Sequence, residues 1–161
     1  MSVSEKDFRK IMGRFTTGVA VITTHYQGKP VGVTINTLTS VSLDPPLVLF
    51  CLGKKRHVYP AFLESTHCAI HILSSSQKDL CKSFAHSLSH PWDGLTYETS
   101  TKGCPLIPNS LGILHCRREQ TYEGGDHTIF LNHVEDIHWE ETDEDRTPLV
   151  YFQGIFSLIY K

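Results

Sequence analysis

Three short clusters of side chains have the types and spacing that could support binding or catalysis. Residues 33–42 intersperse six hydroxyl or amide side chains with apolar residues, a pattern that can present hydrogen-bonding groups to a polar ligand. Residues 54–57 form the run Lys-Lys-Arg-His directly after an apolar segment, which suits a phosphate. Residues 124–128 place Asp126 beside His127 after two glycines, so the carboxylate can orient the imidazole.

Each cluster also has a purely structural interpretation. The first is compatible with a polar strand followed by an edge turn, and the second with a solvated loop. The third is compatible with a hairpin turn that carries an incidental histidine. Residue types and spacing alone leave both interpretations open for all three clusters.

Other chemistries find less support in the sequence. His67 and His71 share one face of a predicted strand, but no third ligand follows at a recognisable spacing and HExxH is absent, so metal binding is not predicted. Cys51 and Cys81 lack any signature of a nucleophile, and GxSxG is also absent. The glycine-rich fingerprints of Rossmann and P-loop nucleotide sites do not occur.

Composition indicates a single globular domain spanning residues 1–161. The net charge of -2 gives no basic field for nucleic acid, and no apolar run reaches the roughly 20 residues that span a membrane. Residues 1–10 lack a secretory pattern. The five cysteines are odd in number and have no CxxC spacing, which predicts reduced thiols in the cytoplasm.

The elements that must position these clusters are mostly short strands. A capping box at residues 4–7 predicts an amphipathic helix that ends near Gly13, and residues 58–64 and a segment capped by residues 76–79 predict two more. Residues 86–108 read as a loop, and the acidic run 140–145 as a solvated turn. This pattern favours a closed or nearly closed β-barrel. Strands are predicted at residues 19–24, 31–35, 39–41, 47–52, 68–73, 111–118, 128–139, 149–152 and 155–160.

Several segments together carry a family resemblance that runs from about Phe8 to Tyr160. They are Phe8-Arg9 with Met12-Gly13, then Thr17–Thr24, Gly32–Thr37, Ser40–Val48, Gly103–Leu106, Gly125–Thr128 and Pro148–Phe152. In this order they resemble the flavin reductase family of FMN-binding split-barrel proteins, the reductase components of two-component flavin monooxygenases.

The resemblance implies a mainly β fold: a six-stranded antiparallel Greek-key split β-barrel with a few short flanking helices. It also implies a homodimer with flavin near the subunit interface. His127 would lie where the nicotinamide approaches, supported by Asp126. The residues that it places at the flavin are Thr34, Asn36, Thr37, Ser40, Val41, Ser42, Cys51, Leu52, Gly53, Lys54 and, as an apolar wall, Phe84.

The implied activity is hydride transfer from NADH or NADPH to FMN, or to FAD, with reduced flavin supplied to a monooxygenase partner. The alternatives are a flavoprotein that uses another electron donor or acceptor, and a non-catalytic flavin or haem binder. Two segments depart from the family pattern: the cationic run 54–57 replaces small hydroxyl residues, and Gln153 stands where relatives often have arginine before glycine.

Overall fold

A computed structural model of the chain describes residues 3–86, 90–139 and 146–158. The helices are α1 (Glu5–Met12), α2 (Tyr59–Glu64) and α3 (Lys78–Ala85), the last preceded by a 3-10 turn, Ser75–Gln77. The strands are β1 (Thr17–Gly18), β2 (Ala20–Tyr26), β3 (Lys29–Ile35), β4 (Thr39–Leu43), β5 (Pro46–Gly53), β6 (His67–Ile72), β7 (Glu98–Thr99), β8 (Pro105–Leu106), β9 (Gly112–Gly124), β10 (His127–His138), β11 (Leu149–Phe152) and β12 (Ile155–Leu158).

Seven of these strands form one antiparallel sheet in the order β3-β2-β6-β9-β10-β5-β4. Its two edge strands, β3 and β4, are joined by residues 36–38 alone. Four Cα steps span at most about 14 Å, whereas the edges of a flat seven-stranded sheet would lie about 29 Å apart. The short link therefore requires the sheet to curl until its two edges approach each other.

The curled sheet is buried on both faces along its central strands. Ile22 packs inside the curl with Ile70, and the rings of Phe50 and Phe130 stack there at a centroid distance of 5.1 Å. The next residue to Ile22, Val21, faces the other side, because neighbouring side chains of a strand point in opposite directions. There Val21 belongs to a second core beneath α3 and the three-stranded sheet β1-β11-β12. Within the described residues, no helix is long and apolar enough to cross a membrane.

The fold is mainly β with few helices, as the sequence predicts, but two details differ. The principal sheet has seven strands rather than six, since β4 continues the pairing beyond β5 as a short edge strand. The segment that leads into α3 also begins differently from the prediction. Ser74, not Ser76, makes a capping box with Gln77, whose Oε1 accepts from the Ser74 N–H at 3.0 Å, and this caps the 3-10 turn one step before α3. The acidic run 140–145 lies outside the described residues.

Candidate functional site

The β9–β10 hairpin presents a histidine and an aspartate at its tip. Gly125 has a φ of +73°, a conformation open to glycine, so the turn is tight and β10 starts at His127. The Asp126 Oδ1 lies 2.8 Å from the His127 Nδ1. An ionised carboxylate only accepts hydrogen bonds, so Nδ1–H donates and Nε2 faces away. This hydrogen bond lowers the pKa of Asp126, which keeps the carboxylate charged.

The edge of the imidazole lies over a glycine of the neighbouring strand. His127 pairs with Gly53, the last residue of β5. A Cβ at Gly53 would be 3.4 Å from the His127 Nε2. Any larger side chain at that position would cover the ring edge, so the glycine keeps one side of the imidazole open to a ligand. The side chain of His127 is about half exposed, at 47 %.

Lys54 holds the hairpin rather than pointing away from it. Its backbone N–H donates to the Asp126 carbonyl at 3.0 Å, and its Nζ donates to the Gly125 carbonyl at 2.8 Å and to the Glu123 carboxylate. The contact with Glu123 raises the pKa of Lys54. The ammonium therefore fixes the turn that carries His127, and the nearby exposed cations are Lys55 and Arg56.

In the polar segment around the β3–β4 link, two threonine side chains make hydrogen bonds within the protein and Asn36 is exposed. Thr34 Oγ1 donates to the Cys81 carbonyl at 2.7 Å. Thr37 Oγ1 accepts from the Cys51 N–H at 3.0 Å and lies 3.1 Å from the Cys51 carbonyl oxygen, so it ties the link to β5. Asn36 is exposed and accessible to a ligand.

On the edge strand β4, a bulge separates the pairing of Ser40 from that of Ser42. Ser40 and Val41 are exposed, and Ser42 is half-buried. The backbone of a bulged residue is left out of the regular ladder. Asn36 and the edge strand β4 thus carry exposed amide and hydroxyl side chains, and the sequence-based assignment of these residues to a flavin site stays a prediction.

A small cavity of about 140 Å³ opens next to Asn36. Thr34 and Ile35 of β3 form one wall, and the rings of Tyr151 and Phe156, 5.3 Å apart, form another. The two aromatic residues were not among the predicted site residues. Tyr151 lies in the motif Pro148–Phe152 that carries the family resemblance, so the sequence held a signal for it.

Two of the predicted site residues, Leu52 and Phe84, have buried side chains, and a third, Cys51, has a thiol whose pKa burial affects. Leu52 is 2 % exposed and packs in the inner core, so only its backbone can border a ligand. Phe84 is 4 % exposed and packs edge-on against Trp92 at 5.0 Å, which makes it a core residue here rather than an exposed wall. Cys51 is half-buried, and burial raises the pKa of its thiol.

The histidine pair considered for metal binding has a structural explanation. His71 Nδ1 lies 3.0 Å from the Val21 carbonyl oxygen, and its Nε2 accepts from the Ile107 N–H at 3.2 Å. Burial lowers the pKa of His71 to about 4, so the ring is neutral at pH 7. Among the residues that the structure describes, no three His, Cys, Asp or Glu side chains lie where they could hold a metal ion.

The groups described above are of the types that bind a flat ligand with polar edges and a phosphate. Exposed amide and hydroxyl groups line the β3–β4 side, an open glycine backbone lies at the end of β5, and exposed cations follow at residues 55 and 56. A histidine oriented by a carboxylate stands beside that glycine. Groups of this kind can bind and position two stacked rings.

Comparison with known proteins gives consistent matches over nearly the whole chain. The family model described as "Flavin reductase like domain" matches residues 12–159. An FMN reductase (NADH), SmoA, of Agrobacterium fabrum is 40% identical over 154 residues, which cover 96% of this chain and 86% of the relative. The reductase subunit HsaB of a flavin-dependent monooxygenase from Rhodococcus jostii is 31% identical, covering 97% of this chain and 78% of the relative.

A solved structure gives the same result. The NADH:FAD oxidoreductase SgcE6 of Streptomyces globisporus, in complex with NAD and FAD fragments, superposes with a TM-score of 0.89 at 33% identity. The match covers 99% of this chain and 97% of that one.

Proposed function

The chain belongs to the flavin reductase family, and we propose from that premise that it is an NAD(P)H-dependent flavin oxidoreductase acting on FMN or FAD. When bound, the flavin supplies the acceptor for a hydride from the reduced nicotinamide, so the protein needs no nucleophile of its own. The task of the residues is to hold two rings against each other and to keep water from between them.

The observation that carries this proposal is the Asp126–His127 pair over the open backbone of Gly53. We assign His127 to the nicotinamide side, where its Nε2 edge is accessible and its orientation is fixed by Asp126 at 2.8 Å. Lys54 holds the hairpin through Gly125 and so positions both residues. A flavin binder without nicotinamide chemistry has no need of an oriented histidine at this place.

We assign the flavin to the side formed by the β3–β4 link and β4. Asn36 and Ser40 are exposed donors there, and Val41 offers an exposed apolar contact. Thr34, Thr37 and Ser42 support the same surface, since Thr34 and Thr37 fix its backbone through bonds to Cys81 and Cys51. Backbone groups of Cys51, Leu52 and Gly53 border it, whereas Phe84 is buried against Trp92 and is not assigned to the flavin.

The protein acts as a homodimer in this proposal. Helix α1 has no buried residue, and Phe8, Ile11 and Phe15 are each at least 60 % exposed. An apolar face of this size is a feature of association surfaces. The end of α1 contacts the β11–β12 turn, where Gln153 N–H donates to the Gly13 carbonyl at 2.8 Å. That turn joins the strands that line the cavity beside Asn36, so a second subunit on this face would border the flavin.

We extend the proposal to the fold, the domain, the partner and the location of the protein. The curled sheet is the split barrel of the family, and residues 1–161 form one domain. Reduced flavin passes to a separate monooxygenase in this proposal, which the similarity to HsaB, the reductase subunit of a flavin-dependent monooxygenase, supports. The cytoplasm is the proposed location, which the five free cysteines support.

An anaerobic absorbance experiment tests the activity. Purified protein is mixed with FMN or FAD, then with NADH or NADPH, and the flavin band is followed with time. Catalytic bleaching supports the reductase. If flavin binds but neither NADH nor NADPH bleaches it, the protein is a non-catalytic flavin carrier or uses another electron donor.

The flavin side has its own test in Asn36→Ala. Loss of an exposed amide contact is expected to weaken flavin binding about five- to tenfold, measured by fluorescence quenching of FMN. Gln120→Ala, which removes an exposed amide from β9, serves as the matched control. An unchanged dissociation constant in Asn36→Ala would remove Asn36 from the flavin site.

A further inference from the structure

A cavity larger than the one beside Asn36 lies next to residues 54–57, the basic turn that follows β5. Its volume is about 500 Å³, within the roughly 300–1,000 Å³ usual for small-molecule sites. It opens between the β2–β3 hairpin, the start of α2 and the segment around Trp92. The predicted flavin and nicotinamide residues are not among those that line it. Gly32, His57 and Trp92 are among the residues that line it.

The indole that borders this cavity is held in one orientation by its neighbours. Trp92 packs edge-on against Phe84 and against Tyr97, each at a centroid distance of 5.0 Å. Gly32 makes this arrangement possible, because a Cβ there would come within 2.5 Å of the Phe84 ring and 3.1 Å of the Trp92 ring. A half-buried indole fixed in this way is a prepared surface for stacking a flat heteroaromatic base.

The cations of the basic turn connect this cavity to the candidate active site. The Arg56 N–H donates to the Gly53 carbonyl at 3.0 Å, so the turn folds back onto the glycine that pairs with His127. One guanidinium nitrogen of Arg56 donates to the Ala85 carbonyl at 2.9 Å, out of five donors on that group. Lys55, Arg56 and His57 are all exposed, and His57 lines the cavity. Positive charge therefore lies on the turn that leads from Gly53, the strand partner of His127, to His57 at the cavity.

We propose that this cavity binds the adenosine phosphate half of a dinucleotide, with the adenine stacked on Trp92 and the phosphate beside Lys55 and Arg56. The proposal rests on the proposed function, because FAD and the nicotinamide dinucleotides both carry this group while FMN does not. It makes Trp92 and His57 determinants of which flavin or nucleotide the protein prefers.

The first test uses adenosine 5′-monophosphate alone and measures its binding by calorimetry, independently of catalysis. Trp92→Leu is expected to weaken binding about tenfold, the size expected for loss of base stacking, while Trp92→Phe keeps a ring and stays within about threefold. His57→Glu, at an exposed position, is expected to weaken binding about tenfold through repulsion of the phosphate. His138→Glu makes the same change at the far end of β10 and serves as its control.

His57→Glu keeps the test decisive if Trp92→Leu disturbs the packing of Phe84. Absence of binding to the unmodified protein, or binding that neither Trp92→Leu nor His57→Glu alters, would overturn the proposal. Binding weakened to the same extent by His138→Glu would overturn the assignment to this cavity.

The second test identifies the source of the adenylate. The ratio of kcat/KM for FAD to that for FMN, and the ratio for NADH to reduced nicotinamide mononucleotide, are measured in the unmodified protein and in His57→Glu. A fall of about tenfold in the first ratio assigns the cavity to FAD, and a fall in the second assigns it to NADH. If both ratios stay constant, the proposal is wrong. If the unmodified protein reduces no flavin at all, the proposed function fails, and adenosine monophosphate binding still decides the cavity.

Discussion

His71 and His127 have the same side chain and similar Nδ1 contacts in opposite surroundings. His71 is fully buried, and its ring joins two backbone groups, the Val21 carbonyl and the Ile107 N–H. His127 is about half exposed, and its partner is the carboxylate of Asp126. The neutral backbone partners, one on the neighbouring strand β2 and one directly after β8, make the first histidine a part of the fold. A charged partner at a hairpin tip orients the second for a ligand.

The largest expected effect is on stability when His71 is removed. His71→Ala leaves a cavity and two buried backbone groups without partners, so we expect a loss of about 3–4 kcal/mol in the free energy of unfolding. Urea denaturation measures it. His127→Ala, at an exposed position, is expected to change stability by less than about 0.5 kcal/mol. Equal losses of stability in the two variants would show that His71 contributes no more to the fold than His127 does.

The second expected effect is a pH dependence of stability that belongs to His71. Its pKa is lowered to about 4 in the folded protein from the ordinary 6.5, so below pH 6.5 the unfolded chain binds a proton that the folded protein does not. Stability is therefore full above pH 6.5 and falls as the pH is lowered towards 4, by about 3 kcal/mol in total. Urea midpoints between pH 7.5 and 4.5 measure this slope. His71→Gln should flatten it and His127→Gln should not; a slope unchanged in His71→Gln would assign it to other groups.

The third effect is on catalysis, where we expect the larger change from His127 rather than from His71. His127→Ala is expected to lower kcat/KM for the reduced nicotinamide about 100-fold, because a group that positions the reacting ring is lost. The dissociation constant for flavin should stay within about twofold. Steady-state kinetics and flavin fluorescence titration measure the two quantities. If activity and flavin affinity fell together, His127 would belong to the flavin rather than to the nicotinamide.

The smallest expected effect comes from neutralising the partner of His127. In Asp126→Asn the amide oxygen can still accept from the imidazole, but the charge is lost, so we expect a fall of about fivefold in kcat/KM. Asp136→Asn removes a charge from the far end of the same hairpin, keeps an acceptor for the Ile137 N–H and provides the control. An equal fall in Asp136→Asn would show that the net charge of the hairpin matters rather than the orientation of the ring.

Elements that depend on local signals were well predicted from the sequence. Ser4 caps α1 as expected, with the Asp7 N–H donating to its Oγ at 3.1 Å, and the helix ends before Gly13. The sequence predicts the cap before α3 at Ser76, two residues after its actual position at Ser74, because both residues are serines. Only the position of Gln77, which pairs with Ser74, distinguishes them.

Features that depend on distant partners could not be predicted in the same way. Nothing near His71 in the sequence shows that it is buried, since its partners lie 50 and 36 positions away. The number of strands in the principal sheet depends on whether β4 pairs with β5, which the prolines between them obscure. The family resemblance predicts the motif around His127. It does not predict that the ammonium of Lys54 bonds to the Gly125 carbonyl and so holds the turn before His127.

The link between β3 and β4 also limits how the protein can be engineered. Residues 36–38 keep the two edges of the sheet together, and Thr37 occupies both backbone groups of Cys51. A tag, a reporter or even one inserted residue in this link would lengthen the span or displace Thr37. Insertions are usually best tolerated at exposed loop tips, yet this loop, although exposed, has a length that the curvature of the sheet fixes.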